Sequence, residues 1–126
     1  MFERVDPRSP IPLYAQIADR LKVAIAAGAL QPATALPSVR QLAAQLRVNP
    51  ATVVQAYREL EAEGFVETRP GAGTFVREVA PERRARERAR QASALVQQML
   101  ADAGRLGVSV QELQAAIAEG IGVRTS

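Results

Sequence analysis

The chain has 126 residues, 48% hydrophobic but only 4% aromatic. Its length allows one compact domain, or one small domain plus an oligomerising appendage, and the dominance of alanine and leucine in the apolar set favours helix over a thick β-sandwich core. It holds no cysteine and no histidine, which excludes a disulfide framework, a zinc finger and a thiol nucleophile and removes the usual catalytic base. The expectation is a protein that is not an enzyme and uses no cofactor or metal. The net charge is +3, and Lys22 is the one lysine among the cations; arginine forks suit phosphates and guanine edges.

The opening MFERVDPRSP has no apolar core of the kind a signal peptide needs. No apolar run approaches the ~20 residues that span a bilayer. A cytoplasmic protein without a membrane partner is expected, with its first ten residues as a polar arm.

From Pro12, which suits a first helical position, Leu13, Ile17, Leu21 and Ile25 recur every four residues and predict a first helix ended by Gly28. ALQPATALPS carries prolines at 32 and 37. It reads as a connector with room for a short strand. Ser38 and Gln41 form an S-x-x-Q capping box that opens a second, short helix on Val39, Leu42, Ala43 and Leu46, ending near Arg47.

Asn49 and Pro50 are the preferred N-cap and first-turn residues, so they start a third helix rather than break the second. It runs to about Glu63, with Val53, Ala56, Tyr57 and Leu60 buried, and Gly64 stops it. Residues 65–69 and 74–77 read as strands around the turn signal PGAG.

Beyond Val79 the composition becomes charged and helix-favouring. Ala85, Ala89, Ala92, Val96, Met99, Ala103 and Leu106 are spaced four and three apart, a heptad-like stripe closed by Gly104 and Gly107. A second capping box, Ser109 and Glu112, starts a last helix with Val110, Leu113 and Ile117 on its apolar face. The tail from Gly120 is expected to fray.

Two helices joined by a tight turn and followed by a hairpin make a winged helix-turn-helix. Its second helix enters a DNA major groove N-terminus first, where backbone N–H groups can also meet phosphate. The exposed face of the third helix offers Ala51, Thr52, Gln55 and Arg58 to base edges. Arg69 stands beside a small Gly-Ala-Gly tip able to approach a groove closely. Residues 1–79 carry nine cations against eight acids, so DNA affinity must come from where the charges lie.

PLYAQIADRL, LPSVRQLAAQLRVNPATVVQAYRELEAEGFV and GAGTFV, in that order, resemble the DNA-binding domain of the GntR family of bacterial transcription regulators over residues 11–77. The resemblance implies that Arg40 contacts the operator. It also implies that Asn49, Ala51 and Thr52 open the recognition helix, and that Gly71 and Gly73 form a wing tip entering the minor groove. Arginines that some members carry in the recognition helix are absent; Pro50 and Val54 stand there. The sequence also departs at Ala33-Thr34, where the family commonly has glycine and an acid, and at Arg47, where such turns often have glycine.

The segment 80–126 is too short for a large effector or aminotransferase-like domain of roughly 100 residues. It resembles the small YtrA-type subfamily, whose two C-terminal helices dimerise.

The expected architecture is therefore mostly α. A winged helix-turn-helix of three helices plus a β-hairpin wing occupies residues 1–79, and two dimerisation helices occupy residues 80–126. The DNA-contacting set is Ser38, Arg40, Asn49, Pro50, Ala51, Thr52, Gln55, Arg58, Arg69, Gly71, Gly73 and Thr74. The dimerisation set is the stripe Ala85 to Leu106 together with Leu113 and Ile117. The expected function is a homodimeric repressor on a palindromic, double-stranded operator, with a small-molecule effector left open as a further partner.

Bland readings stand beside these. The winged helix can serve as a protein-interaction adaptor that reads no DNA. Arg40 can be a solvated helix charge, and Arg58 can pair with Glu61 along its own helix. Tyr57 reads as core rather than a base-stacking residue. The run Arg83, Arg84, Arg86, Arg88 and Arg90 reads as a solvated face, with DNA contact as the alternative. The alanine stripe can pack within one chain instead of between two.

Overall fold

The computed structural model describes residues 5–125, with side chains for 5–122. The first four residues of the predicted arm and Ser126 lie outside the described residues. Five helices and one hairpin follow in order: α1 (Leu13–Ala26), α2 (Val39–Leu46), α3 (Pro50–Ala62), β1 (Val66–Arg69), β2 (Gly73–Val76), α4 (Pro81–Leu106) and α5 (Val110–Thr125). The chain divides into two compact units, one running through Arg88 and one starting at Ala89. The first therefore reaches beyond Val79 and takes in the opening turns of α4.

In the first unit, α1 and α2 both pack on α3, and β1 follows onto the same helix. Ile17, Leu21, Leu42, Val53, Leu60 and Val66 are fully buried at the centre. Each such aliphatic side chain contributes about 1.5–3 kcal/mol by leaving water. The arm is tied down at its root. Gln16 accepts from the Asp6 N–H at 2.8 Å and donates to the Asp6 and Ile11 carbonyls, and Val5 is buried.

Local signals set the helix boundaries. Pro12 is the N-cap of α1 rather than its first helical residue, at φ −54° and ψ 146°. Both halves of the Ser38–Gln41 capping box form. Asn49 Oδ1 accepts from the Ala51 N–H at 2.9 Å, and Pro50 sits in the first turn of α3.

Between α2 and α3, Arg47 takes the left-handed φ of 56° that a glycine would adopt freely. Ala33 does the same in the connector, at φ 70°, so the glycine conformation persists there without the glycine. It persists because the connector pairs with the wing. Ala33 N–H donates to Val76 O, Val76 N–H to Thr34 O, and Leu36 N–H to Thr74 O, all at 2.8–2.9 Å. An isolated bridge joins Ala35 to Phe75. The connector, where the sequence left room for a short strand, thus forms a single bridge rather than a strand.

The hairpin is antiparallel, with Val66 opposite Val76 and Arg69 opposite Gly73. Ala72 N–H closes the turn on Arg69 O. Pro70 with Gly71 at φ 77° matches a type II turn, whose third residue needs positive φ.

The heptad-like stripe is mostly exposed. Ala103 is buried within the protomer, while Leu106 is 74% and Val96 44% exposed. Gly104 lies inside α4 rather than ending it; Gly107, at φ 71°, makes the stop. The Ser109–Glu112 capping box forms. Its hydrogen bonds to the carboxylate, backbone first, hold Glu112 below its ordinary pKa. α5 continues through Thr125, past the glycines at which fraying was expected. Helix propensity penalises a glycine by only about 1 kcal/mol, which does not by itself stop a helix.

Candidate nucleic-acid interface

Every side chain in the expected DNA-contacting set reaches the surface. Arg40, Asn49, Ala51, Gln55 and Arg58 are exposed, and Thr52 is half-buried. The opposite face of α3 is fixed by Val53, Ala56, Tyr57 and Leu60, all buried, which turns the remaining positions outward.

The N-terminus of α3 satisfies most of its own donors. Pro50 has no N–H. The Ala51 N–H goes to Asn49 Oδ1 and the Thr52 N–H to the Asn49 carbonyl, each at 2.9 Å. Phosphate capture by free N–H groups at this end, expected from the sequence, is therefore limited. What α3 presents is the Asn49 amide nitrogen, the Thr52 hydroxyl, the Gln55 amide and the Arg58 guanidinium.

Glu61, the helical partner weighed for Arg58, is engaged elsewhere. Its Oε2 accepts from the Thr68 N–H at 2.7 Å, tying α3 to β1. Among the described residues no acid lies within ion-pair distance of Arg58.

The wing and the start of α2 enclose a groove of about 520 Å³. It brings Ser38, Arg69, Gly71, Gly73 and Thr74 together; Gln41, Thr68 and Tyr57 also line it, and the sequence reading did not assign these to DNA. Arg40 and the exposed face of α3 are not part of this groove. Nothing lies within 4 Å of where a Gly71 side chain would begin. Its glycine serves the turn, and the tip stays open to close approach.

Arg69 is held rather than free. Its Nη2 and Nε lie 2.6 and 3.0 Å from Glu67 Oε1, and its guanidinium stacks 4.5 Å over the Phe75 ring.

Tyr57 is core, as read from its spacing. It is 6% exposed, and its hydroxyl donates to the Pro37 carbonyl at 2.7 Å. Burial raises its pKa well above the ordinary 10.0.

Two arginines of the α4 run have a different role from both readings given to the run. Arg83 stacks 4.5 Å over Phe65, and Arg88 donates to the Ala26 carbonyl at 3.1 Å. These contacts fasten the opening turns of α4 to the winged helix. Gly64 makes room for the first. A side chain there would begin 3.1 Å from Arg83 Nη1, at a φ of +82°. A run of arginines carries no sign of which aromatic or carbonyl it will meet, so this was not legible in the sequence.

No group of three or more acidic, cysteine or histidine side chains able to hold a metal occurs among the described residues. Among the same residues, no helix is long and apolar enough to cross a membrane.

Comparison with known proteins agrees with this geometry. The pattern of the family described as bacterial regulatory proteins, gntR family, matches residues 13–76. The transcriptional repressor YtrA of Bacillus subtilis (strain 168) is 38% identical over 116 residues, covering 92% of this chain and 89% of that protein. A GntR family transcriptional regulator from Listeria monocytogenes superposes with a TM-score of 0.68 at 29% identity, covering 91% of this chain and 98% of that one. The DNA-binding domain of AraR in complex with an operator superposes with a TM-score of 0.53 at 29% identity, covering 59% of this chain and 92% of that one. The fold, the exposed reading helix with its wing, and these matches together place the chain in the GntR family of bacterial transcriptional regulators, with a winged-helix DNA-binding domain.

Proposed function

We propose that this regulator is a cytoplasmic homodimeric repressor that binds a palindromic double-stranded operator. Support for DNA reading comes above all from the exposed polar face of α3, where Thr52, Gln55 and Arg58 project without an acidic partner among the described residues. Arg40 adds a cation near the start of α2, and Arg69 and the glycine tip add the wing. The name of the Bacillus relative supports repression, and the operator complex of AraR supports duplex DNA as the ligand.

The homodimer is supported by apolar side chains left in water. Leu95, Leu100, Leu106, Ile117 and Ile121 are 71, 39, 74, 42 and 56% exposed. Among the described residues α5 shares little contact with α4, so one chain does not cover this face. Leu95 and Leu100 join Val96, Met99, Leu113 and Ile117 as dimer residues; the heptad stripe had passed them over. A two-fold pair of reading helices then matches two half-sites one helical turn apart.

Titrating the full chain against its own promoter and against random duplex at several salt concentrations tests the reading. Tighter binding to the promoter, with affinity falling as salt rises, is expected. Equal affinity for the two duplexes overturns operator recognition and favours the adaptor reading.

A further inference from the structure

A cleft of about 250 Å³ lies within the first unit, away from the DNA-contacting residues. Its walls are the end of α1, the connector at Leu30 to Pro32, residues 77–79 after β2, and Pro81 and Arg84 on the first turn of α4. At this cleft the Nε of Arg84 is buried and has no hydrogen-bond partner. A buried guanidinium N–H left unsatisfied is costly, and native structures rarely tolerate one without a water, an ion or a ligand. The neighbouring arginines of α4 are both engaged, Arg83 on Phe65 and Arg88 on the Ala26 carbonyl. Among the described residues, Arg84 Nε is the one buried side-chain donor without a partner.

We propose that this cleft binds a small carboxylate with a short apolar body. Two cationic residues, Arg77 and Arg84, line the cleft against one acid, Glu78, so the lining favours an anion. Guanidinium Nε and Nη donors form a planar fork that matches a carboxylate in two parallel bonds. Ile25, Leu30 and Val79 supply apolar walls that a bare phosphate would leave unused. A volume of about 250 Å³ suits a compact metabolite. A bound carboxylate would add a bridge between Arg84 and the rest of the first unit, firming the seat of α4. The site stands without the DNA-binding reading; only control of operator affinity by the ligand rests on it.

The test is a nuclear magnetic resonance titration of the full chain with butyrate, with inorganic phosphate and sodium chloride in parallel. Saturable shifts of the Arg84 Nε–H and of the Gln31 and Val79 amides with butyrate are expected. Arg84→Lys keeps the charge but loses the fork, and is expected to weaken butyrate binding by roughly tenfold or more. Arg77→Gln removes the other lining cation and is likewise expected to weaken butyrate binding, should the Arg84 variant fail to fold. Saturation by phosphate but not by butyrate overturns the carboxylate assignment. Equal, non-saturating shifts with all three salts mean that water alone fills the cleft, and overturn the site. Butyrate that binds but leaves promoter affinity unchanged separates the site from regulation, whereas failure of promoter binding itself strikes only the operator reading.

Discussion

The Tyr57 hydroxyl, on α3, donates to the carbonyl of Pro37 at 2.7 Å, directly before the cap of α2. One bond thus links the middle of the reading helix to the start of its partner, across twenty residues of chain. It also lies at the groove between α2 and the wing. Removing the hydroxyl with Tyr57→Phe leaves the ring in place and orphans a carbonyl. The expected loss is about 1 kcal/mol of stability, read as a lower urea midpoint at unchanged slope.

The same phenol predicts a pH dependence. Its folded pKa is raised above the unfolded value of about 10. The native state therefore holds the proton more tightly. Below about pH 10 both states are protonated and nothing changes; above it the unfolded state ionises first and stability falls. Thermal midpoints measured across this alkaline range should decline more steeply in the wild type than in Tyr57→Phe. Identical declines would remove Tyr57 as the cause.

Ala33 at φ 70° and Arg47 at φ 56° hold conformations that cost a residue with a Cβ roughly 1–2 kcal/mol. Ala33→Gly relieves this strain but adds unfolded-state entropy. A net gain of about 0.5–1 kcal/mol in denaturant unfolding is expected. Arg47→Gly should stabilise similarly, and any change in DNA affinity it brings measures the lost cation separately.

Glu67 holds the Arg69 guanidinium that the proposed operator complex would use. With both side chains about half exposed, at 45% and 55%, the pair adds little to stability. Glu67→Gln should free the guanidinium for a phosphate. Operator affinity should rise, and the slope of log K against log salt should steepen by about 0.9 per added contact. An unchanged slope would mean that Arg69 stays on Phe75 in the complex.

Arg40→Ala should leave the melting curve unchanged, because the side chain is exposed. Operator binding should weaken by about 1–3 kcal/mol if Arg40 reads a base. Leu100→Glu should leave the first unit folded and shift the chain from dimer to monomer in sedimentation; a persistent dimer would place the interface elsewhere.

The sequence by itself determined the order of the elements and many of their limits. Caps, prolines and glycines act within a turn or two of chain, so Ser38–Gln41, Asn49-Pro50 and Ser109–Glu112 were readable residue by residue. The helical spacing of Val53, Ala56, Tyr57 and Leu60 likewise fixed which face of α3 is buried. Only the tertiary structure decided what depends on distant partners. The pairing of residues 33–36 with the wing forces an alanine into a glycine conformation. Thr68 claims Glu61 and so leaves Arg58 open. Phe65 and the Ala26 carbonyl turn two of a run of like charges into the fastening of α4. These contacts join residues tens of positions apart, and a guanidinium has the same local signature whether it meets water, a ring, a carbonyl or a ligand. Arg84, with its buried and unused Nε, is the case in which that difference points to something the sequence did not announce.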